Sequence, residues 1–241
     1  MTRAQELRAT RGLVFTQALL GIGAWVVLGW PYLRRTHGLR RLDPRQRYLF
    51  APNHVSLLDT IFLGGLCWRS GCYPILVLGD RGVWQATWLK RLLSSRIGFL
   101  LERGKLNPNR VRDLEDFGRA GSQFHLVVFP EGTRGEGVRV GPCQPGIYHI
   151  AQEARLPIVP VFFQNMQRVS TKTGRFHPIG GLRQVEVHFG EPIAPARYLA
   201  LAQNEFTDFV RQSITAVGRQ MAPEPGLAFH ARPAADSPPA G

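Results

Sequence analysis

Residues 48–59 read Tyr48-Leu49-Phe50-Ala51-Pro52-Asn53-His54-Val55-Ser56-Leu57-Leu58-Asp59. The opening run, Tyr48–Ala51, is short and apolar with aromatic side chains, which predicts a buried strand. Pro52 and Asn53 end it. Ser56, followed three residues later by Asp59 and then by an apolar stretch, predicts a helix over 57–68. The segment therefore reads as strand, polar loop, helix, the unit from which parallel sheets are built.

The same unit recurs along the chain. Ile75–Leu78, Ile97–Leu101, His125–Phe129 and Ile158–Phe163 read as strands, and Val185–Phe189 alternates with period two. Helical patterns fill 83–94, 108–121, 146–154 and 203–221. This alternation predicts an α/β protein, an αβα sandwich around a mostly parallel sheet. Pro160, inside an apolar run, predicts an edge strand or a bulge at that point. At 241 residues, with 44% hydrophobic and 20% charged residues, the chain has the composition of one ordered domain with a small appendage. Three cysteines, Cys67, Cys72 and Cys143, are too few and odd in number for a disulfide framework.

Ahead of this domain lies an uncharged stretch from Gly12 to Leu33, about 33 Å long as a helix, enough to cross a hydrocarbon core. Gly21, Gly23, Gly29, Thr16 and Gln17 dilute it, while Trp25, Trp30 and Tyr32 suit the headgroup level, so spanning and interfacial helices are both open. Trp30-Pro31-Tyr32-Leu33-Arg34-Arg35 lacks the small residues of a signal cleavage site. The division expected is residues 1–47 as a membrane-associated helix and basic linker, 48–221 as the main domain, and 222–241 as a disordered tail rich in Pro and Ala.

The net charge is +13, and only Lys90, Lys105 and Lys172 among the 30 Lys+Arg are lysines. Such a surface seeks polyanions. No zinc-finger spacing, aromatic RNA-binding signature or basic helix points to nucleic acid. The cluster Arg34, Arg35, Arg40, Arg41, Arg45 and Arg47 instead suits anionic lipid, at about 1 kcal/mol per residue near the surface, and predicts that the domain stays on the cytoplasmic face.

Three polar clusters follow predicted strands: Asn53-His54 with Asp59, Glu102-Arg103, and Pro130-Glu131-Gly132-Thr133-Arg134. Ligands of open α/β sheets bind beyond the carboxyl ends of the strands, so the clusters are expected to converge. With His54 in the loop and the helix starting near Ser56, Asp59 in the first turn reaches back to the imidazole, and the other ring nitrogen is left to accept a hydroxyl proton. Ser56-x-x-Asp59 reads equally as a capping box. Glu131 suits a polyol, and Arg103 and Arg134 suit phosphate oxygens; each also reads as an ordinary solvated charge.

Taken in order, four blocks resemble those of the lysophosphatidate acyltransferase family and its glycerolipid relatives. They are Asn53-His54-x-x-x-x-Asp59, Gly98-Phe99-Leu100-Leu101-Glu102-Arg103, Phe129-Pro130-Glu131-Gly132-Thr133-Arg134 and Leu156-Pro157-Ile158-Val159-Pro160-Val161. The resemblance spans about residues 48 to 193. It implies a general base at His54 oriented by Asp59. It also implies an acceptor site at Arg103, Glu131, Gly132, Thr133 and Arg134, with Arg81 standing where relatives often have Lys, and an acyl-donor region at Pro157, Ile158, Val159 and Pro160. The activity implied is transfer of a fatty acyl chain from acyl-CoA or acyl carrier protein to the sn-2 hydroxyl of 1-acylglycerol 3-phosphate, giving phosphatidate, with no metal and no bound cofactor. Direct transfer from an activated thioester requires a base, oxyanion stabilisation and positioning, and no enzyme nucleophile. Leu78-Gly79-Asp80-Arg81 and Cys143-Gln144-Pro145-Gly146 depart from the family pattern. They leave room for another lysolipid, such as lyso-ornithine lipid or a lysophospholipid, or for glycerol 3-phosphate as acceptor. A Ser56 thioesterase or lipid hydrolase, and a non-catalytic membrane or nucleic-acid binding protein, are the readings from other classes.

Overall fold

Strand-forming runs that lack polar positions must be covered on both faces, and that requirement organises the molecule. The computed structural model describes residues 15–80, 98–101 and 124–219. The predicted helices over 83–94 and 108–121, the tail 222–241, Arg81 and Arg103 lie outside the described residues.

Seven strands form one sheet: β1 (Leu33–His37), β2 (Leu49–Pro52), β3 (Ile75–Asp80), β4 (Gly98–Leu101), β5 (His125–Val128), β6 (Ile158–Gln164) and β7 (Val185–Phe189). Their order is β1-β7-β6-β2-β5-β3-β4. Strands β2 to β6 run parallel, and β7 turns antiparallel to β6 and carries β1 parallel to itself. Helix α1 occupies residues 15–32, passing through a π-helical stretch at Trp25–Gly29, and is followed by α2 (Leu58–Ser70), α3 (Gly146–Ala154) and α4 (Gln203–Arg219).

Along β2 the side chains alternate between two cores. Phe50 joins the cluster under α1 and α2 with Phe62, Leu63 and Leu66, while Leu49 and Ala51 join the one under α3 and α4 with Ile147, Phe206, Val210 and Ile214. The αβα sandwich is therefore present. Each fully buried Leu or Phe contributes about 1.5–3 kcal/mol by leaving water. Helix α2 ends at Gly71, whose φ of 80° is the left-handed C-cap that glycine adopts without strain.

The structure corrects one expectation and narrows two others. The segment 33–37, expected in a linker, is a sheet strand: Leu33 pairs with Val185 and His37 with His188. The main domain thus begins no later than Leu33. Its run Arg34-Arg35-Thr36-His37 has no apolar side chain, which an edge strand tolerates and which hid it.

Pro160 lies on β6, an internal strand and not an edge. It is tolerated because the step from Ile158 to Val161 on β6 is matched by the longer step from Phe189 to Ile193 opposite. That bulge is where an amide N–H is not needed, and the Pro160 carbonyl still accepts from Gly190 N at 2.8 Å.

Among the described residues, no helix is long and apolar enough to cross a membrane. The polar and small residues of α1 have packing roles. Gln17 is buried, donating to Ile75 O at 2.7 Å and accepting from Ile75 N at 2.8 Å, so it pins α1 to the start of β3. At Gly21 a Cβ would meet Trp68 Cβ at 2.5 Å, and at Gly65 one would meet Trp25 N at 3.1 Å. These two glycines permit the close approach of α1 and α2.

Candidate active site

Strands β2, β5 and β6 are mutually parallel, so the segments that follow them emerge on one edge of the sheet. After β2 the chain is tied across to β6. Asn53 N donates to Val161 O at 3.2 Å, and the buried Asn53 amide accepts from Phe163 N at 2.7 Å and donates to Phe163 O at 3.2 Å. Asn53 thus extends the ladder with its side chain and fixes where the next residue, His54, stands.

His54 is part-buried, and Asp59 is fully buried at the start of α2. His54 Nδ1 lies 3.0 Å from Asp59 Oδ2. The same oxygen accepts from Val55 N at 2.6 Å and from Ser56 N at 2.9 Å. With Asp59 ionised, the tautomer this arrangement assigns places the proton on Nδ1 and leaves Nε2 free to take one. The imidazole packs on Phe129, ring centroids 4.1 Å apart.

The bond from Ser56 N to Asp59 is the reciprocal half of a capping box, so the structural and functional readings of Asp59 hold together. Ser56 itself is fully buried, and its Oγ accepts from Leu58 N at 2.9 Å. A nucleophile must present its hydroxyl to a base and a substrate; this one faces a helix start. The hydrolase reading through Ser56 has no geometric support.

Glu131 follows β5 and is 5% exposed. Its Oε1 accepts from His54 N at 2.8 Å and its Oε2 from Gly141 N at 2.8 Å. Burial pushes its carboxyl pKa up, opposed by these two amide bonds and by the His54 side chain. The first work of Glu131 is to hold the His54 loop against the 131–141 loop. Gly135 N closes the same junction by donating to His54 O at 2.6 Å. Gly132 adopts φ 62°, and a Cβ there would meet Gln144 Cγ at 2.8 Å, so this turn requires glycine. Thr133 is exposed and Arg134 is half-buried; among the described residues Arg134 makes no ion pair.

Beside this loop a cavity of about 720 Å³ opens between α1 and α2. Leu57 and Leu58, from the His54 loop and the start of α2, line it together with Leu20 and Val27 of α1, Phe176, and Arg134. Its size falls in the range of about 300–1,000 Å³ typical of small-molecule sites. The contribution of α1 to this cavity was not visible in the sequence. The signal that existed was the pairing of small residues, Gly21 and Gly23, with apolar neighbours on a helix already marked by its length.

Of the expected acyl-donor segment Pro157, Ile158, Val159 and Pro160, the structure places Ile158 and Val159 inside the sheet, away from the His54 edge, while Pro160 pairs with Ala51, three residues before His54. Ile158 and Val159 are 0% exposed and pair with Leu49 and Phe50 at the opening of β2, a strand's length from the edge that carries His54. They belong to the two cores. Cys67 and Cys72 are buried and Cys143 half-buried, all with thiol pKa values raised by desolvation, which suits inert packing.

The sequence profile of the family described as Acyltransferase matches residues 34–164, more than half of the chain. Human 1-acyl-sn-glycerol-3-phosphate acyltransferase alpha is 26% identical over 190 residues, covering 76% of this chain and 63% of that protein. The 1-acyl-sn-glycerol-3-phosphate acyltransferase of Saccharomyces cerevisiae is 30% identical over 139 residues, covering 55% of this chain and 44% of that protein. The chain thus spans less than two thirds of the length of these relatives. The crystal structure of the 1-acyl-sn-glycerophosphate (LPA) acyltransferase PlsC from Thermotoga maritima superposes with a TM-score of 0.64 at 18% identity, covering 90% of this chain and 83% of that one, which shows a shared fold. With its profile match starting at Arg34, inside β1, and running through the whole of β6, this chain belongs to the Acyltransferase family, and its sequence relatives are 1-acyl-sn-glycerol-3-phosphate acyltransferases.

Proposed function

We propose that this acyltransferase moves a fatty acyl chain from an acyl thioester, on CoA or acyl carrier protein, to the sn-2 hydroxyl of 1-acyl-sn-glycerol 3-phosphate, producing phosphatidate. The observation that carries the reading is the His54–Asp59 pair, with Leu57 and Leu58 of the intervening turn lining an apolar cavity that also reaches Arg134. His54 Nε2 takes the proton from the acceptor hydroxyl as its oxygen attacks the thioester carbonyl. Asp59 holds the ring and stabilises the imidazolium, which then protonates the departing thiolate. The acceptor phosphate is assigned to the Arg134 guanidinium, with Arg81 and Arg103 as further candidates from neighbouring strand ends, and the acyl chain to the cavity. Thr133 and the backbone at Gly132 are assigned to the acceptor side, on the same turn as Arg134. Direct transfer to an activated thioester calls for no metal and no bound cofactor.

The site is assigned to the cytoplasmic face of a membrane. On α1, Phe15, Leu19, Val26, Val27 and Trp30 are exposed, with Trp30 65% accessible, and Ile179 is 82% accessible. Apolar area of this extent beside basic side chains supports a helix lying in the interface, the second of the two modes open for residues 12–33.

The test is purified protein with labelled acyl-CoA or acyl carrier protein and a panel of acceptors: lysophosphatidate, lyso-ornithine lipid, a lysophospholipid and glycerol 3-phosphate. Phosphatidate formation lost in a folded His54→Ala variant is expected. Preference for an acceptor without phosphate would overturn the substrate, and turnover at the wild-type rate in His54→Ala would overturn the mechanism.

A further inference from the structure

Two strands away from β2, on the face of the sheet opposite Val185 and Val187, three potential metal ligands converge. His37 ends β1, and Glu186 and His188 sit two apart on β7, so all three side chains project from the same face. His37 Nε2 lies 3.5 Å from Glu186 Oε2, and His188 Nε2 lies 3.8 Å from that same oxygen. One ligand atom from each residue falls within 4.8 Å of the others. The two imidazole planes are stacked 4.6 Å apart at 11°.

These separations are too long for good hydrogen bonds, and His37 Nε2 is buried without a hydrogen-bond partner among the described residues. The two distances to the carboxylate oxygen are close to what a shared ion imposes. With bonds of about 2.0–2.1 Å to nitrogen and oxygen, tetrahedral ligands stand about 3.3–3.4 Å apart. Closing the two contacts to the carboxylate takes a few tenths of an ångström, and the stacked rings must also turn about their Cβ–Cγ bonds, since a metal lies in the plane of each imidazole that binds it. Gln164 Oε1 accepts from His188 Nε2 at 3.1 Å, so for Nε2 to bind an ion its proton has to pass to Nδ1, a buried atom with no hydrogen-bond partner among the described residues, and the Gln164 oxygen is then released beside the site. Arg34 Nη1, 3.3 Å from Glu186 Oε1, occupies the other carboxylate oxygen and turns Oε2 toward the imidazoles, the outer-sphere arrangement that orients ligating carboxylates. His37 is 30% exposed and provides the way in.

We infer that His37, Glu186 and His188 form a structural site for a divalent transition-metal ion of the zinc type, with Gln164 or water completing the tetrahedron. The two imidazoles and one carboxylate suit zinc better than calcium or magnesium, which take oxygen ligands. The ion would join β1 to β7 across most of the chain's length. Because β1 continues directly from α1, it would also hold in place the helix that walls the cavity beside His54. The site takes no part in acyl transfer, so it stands or falls independently of the proposed reaction.

The experiment uses the full chain, freed of any affinity tag and stripped with chelator. Zinc is titrated in competition with a chromophoric chelator, and Co²⁺ absorption reports the ligand types. One ion per chain is expected, with a Kd of micromolar or below, no thiolate-to-cobalt band, and a rise in Tm on adding zinc. His37→Ala, at a part-exposed position, should lower the affinity at least tenfold and abolish the rise in Tm, and Glu186→Gln should weaken binding similarly. Zinc binding by His54→Ala should equal that of the wild type. Absence of stoichiometric binding in the wild type, unchanged affinity in His37→Ala, or a thiolate band would each overturn the inference.

Discussion

Replacing Asp59 by Asn separates the orienting of His54 from the capping of its loop. In the wild type a single oxygen, Asp59 Oδ2, meets His54 Nδ1 at 3.0 Å, Val55 N at 2.6 Å and Ser56 N at 2.9 Å. An asparagine can turn its carbonyl oxygen to the two backbone amides and keep the turn. Hydrogen bonds to a charged acceptor contribute about 1.5–3 kcal/mol and neutral ones about 0.5–1.5 kcal/mol, so two weakened bonds cost about 2 kcal/mol of stability. That loss leaves a domain of this size folded. The catalytic loss is larger. Without the carboxylate the imidazolium is no longer stabilised, and the same exchange in hydrolase triads costs about 10⁴ in kcat. General-base catalysis alone is worth about 10²–10⁴. Asp59→Asn should therefore lower kcat about 10³–10⁴-fold, with acceptor KM within a few-fold. Thiol release from acyl-CoA measures turnover, and thermal melting measures the fold. The double variant with His54→Ala should be little worse than His54→Ala alone, since the pair acts as a unit. Turnover within tenfold of wild type in a folded Asp59→Asn protein would refute the assignment of His54 as a base oriented by Asp59.

Two further substitutions test the surroundings of that pair. Glu131→Gln supplies one acceptor where two amides, His54 N and Gly141 N, now donate, leaving one facing an amide hydrogen. Stability should fall by about 1–3 kcal/mol, and displacement of the His54 loop should lower kcat up to about 10²-fold. Because the Glu131 pKa is raised in the fold, the folded state binds more protons than the unfolded one between the unfolded and folded values. Wild-type stability relative to Glu131→Gln should therefore improve as pH falls from neutral toward about 4.5, and a widening deficit on acidification would contradict the burial argument. His125, buried between Tyr48 and Phe50, is held at about 4 by desolvation and by Arg47. Its folded value lies below the unfolded one, so stability is complete above about 6.5 and declines as pH falls toward 4, by about 3 kcal/mol. His125→Phe, which keeps the aromatic volume and removes a buried Nδ1 that has no hydrogen-bond partner among the described residues, should cost less than about 1.5 kcal/mol at neutral pH. Urea midpoints between pH 7 and 4 check both parts, and an unchanged acid slope would count against them.

The strands β2, β5, β6 and β7 were legible because buried strands carry apolar side chains on both faces or alternate cleanly, and each of these does. Strand β1 was not. Its Arg34, Arg35 and Thr36 read as part of a basic linker, and the partner that makes them a strand, Val185–Phe189, is known only once the chain has folded back. The glycines of α1 read as dilution of a membrane segment, whereas Gly21 marks a close helix approach that depends on Trp68. At residues 157–159 the sequence pattern and the strand direction point to different places. An order of blocks that resembles a family's locates a segment in that pattern, but which end of a strand carries the chemistry follows from strand direction. The beginning of β6 lies at the far edge from His54.

Asp59 shows why a capping interpretation and a catalytic one need not compete. A capping box asks that a side chain at the start of a helix reach back to the amide of the residue three before it, and Asp59 does so to Ser56. Once the chain turns tightly enough for that bond, the amide of Val55 and the ring of His54 come to the same oxygen. The helix start therefore sets the His54 geometry, and the spacing of His54 and Asp59 is a consequence of the cap. The two amides and the N-terminal end of α2 hold the buried Asp59 side chain in place beside the ring. Glu131 restrains the loop from the other side through the His54 amide. A base held by its own backbone at one end and by its ring at the other loses little orientation when it exchanges a proton, which is the requirement for a direct transfer that uses no enzyme nucleophile.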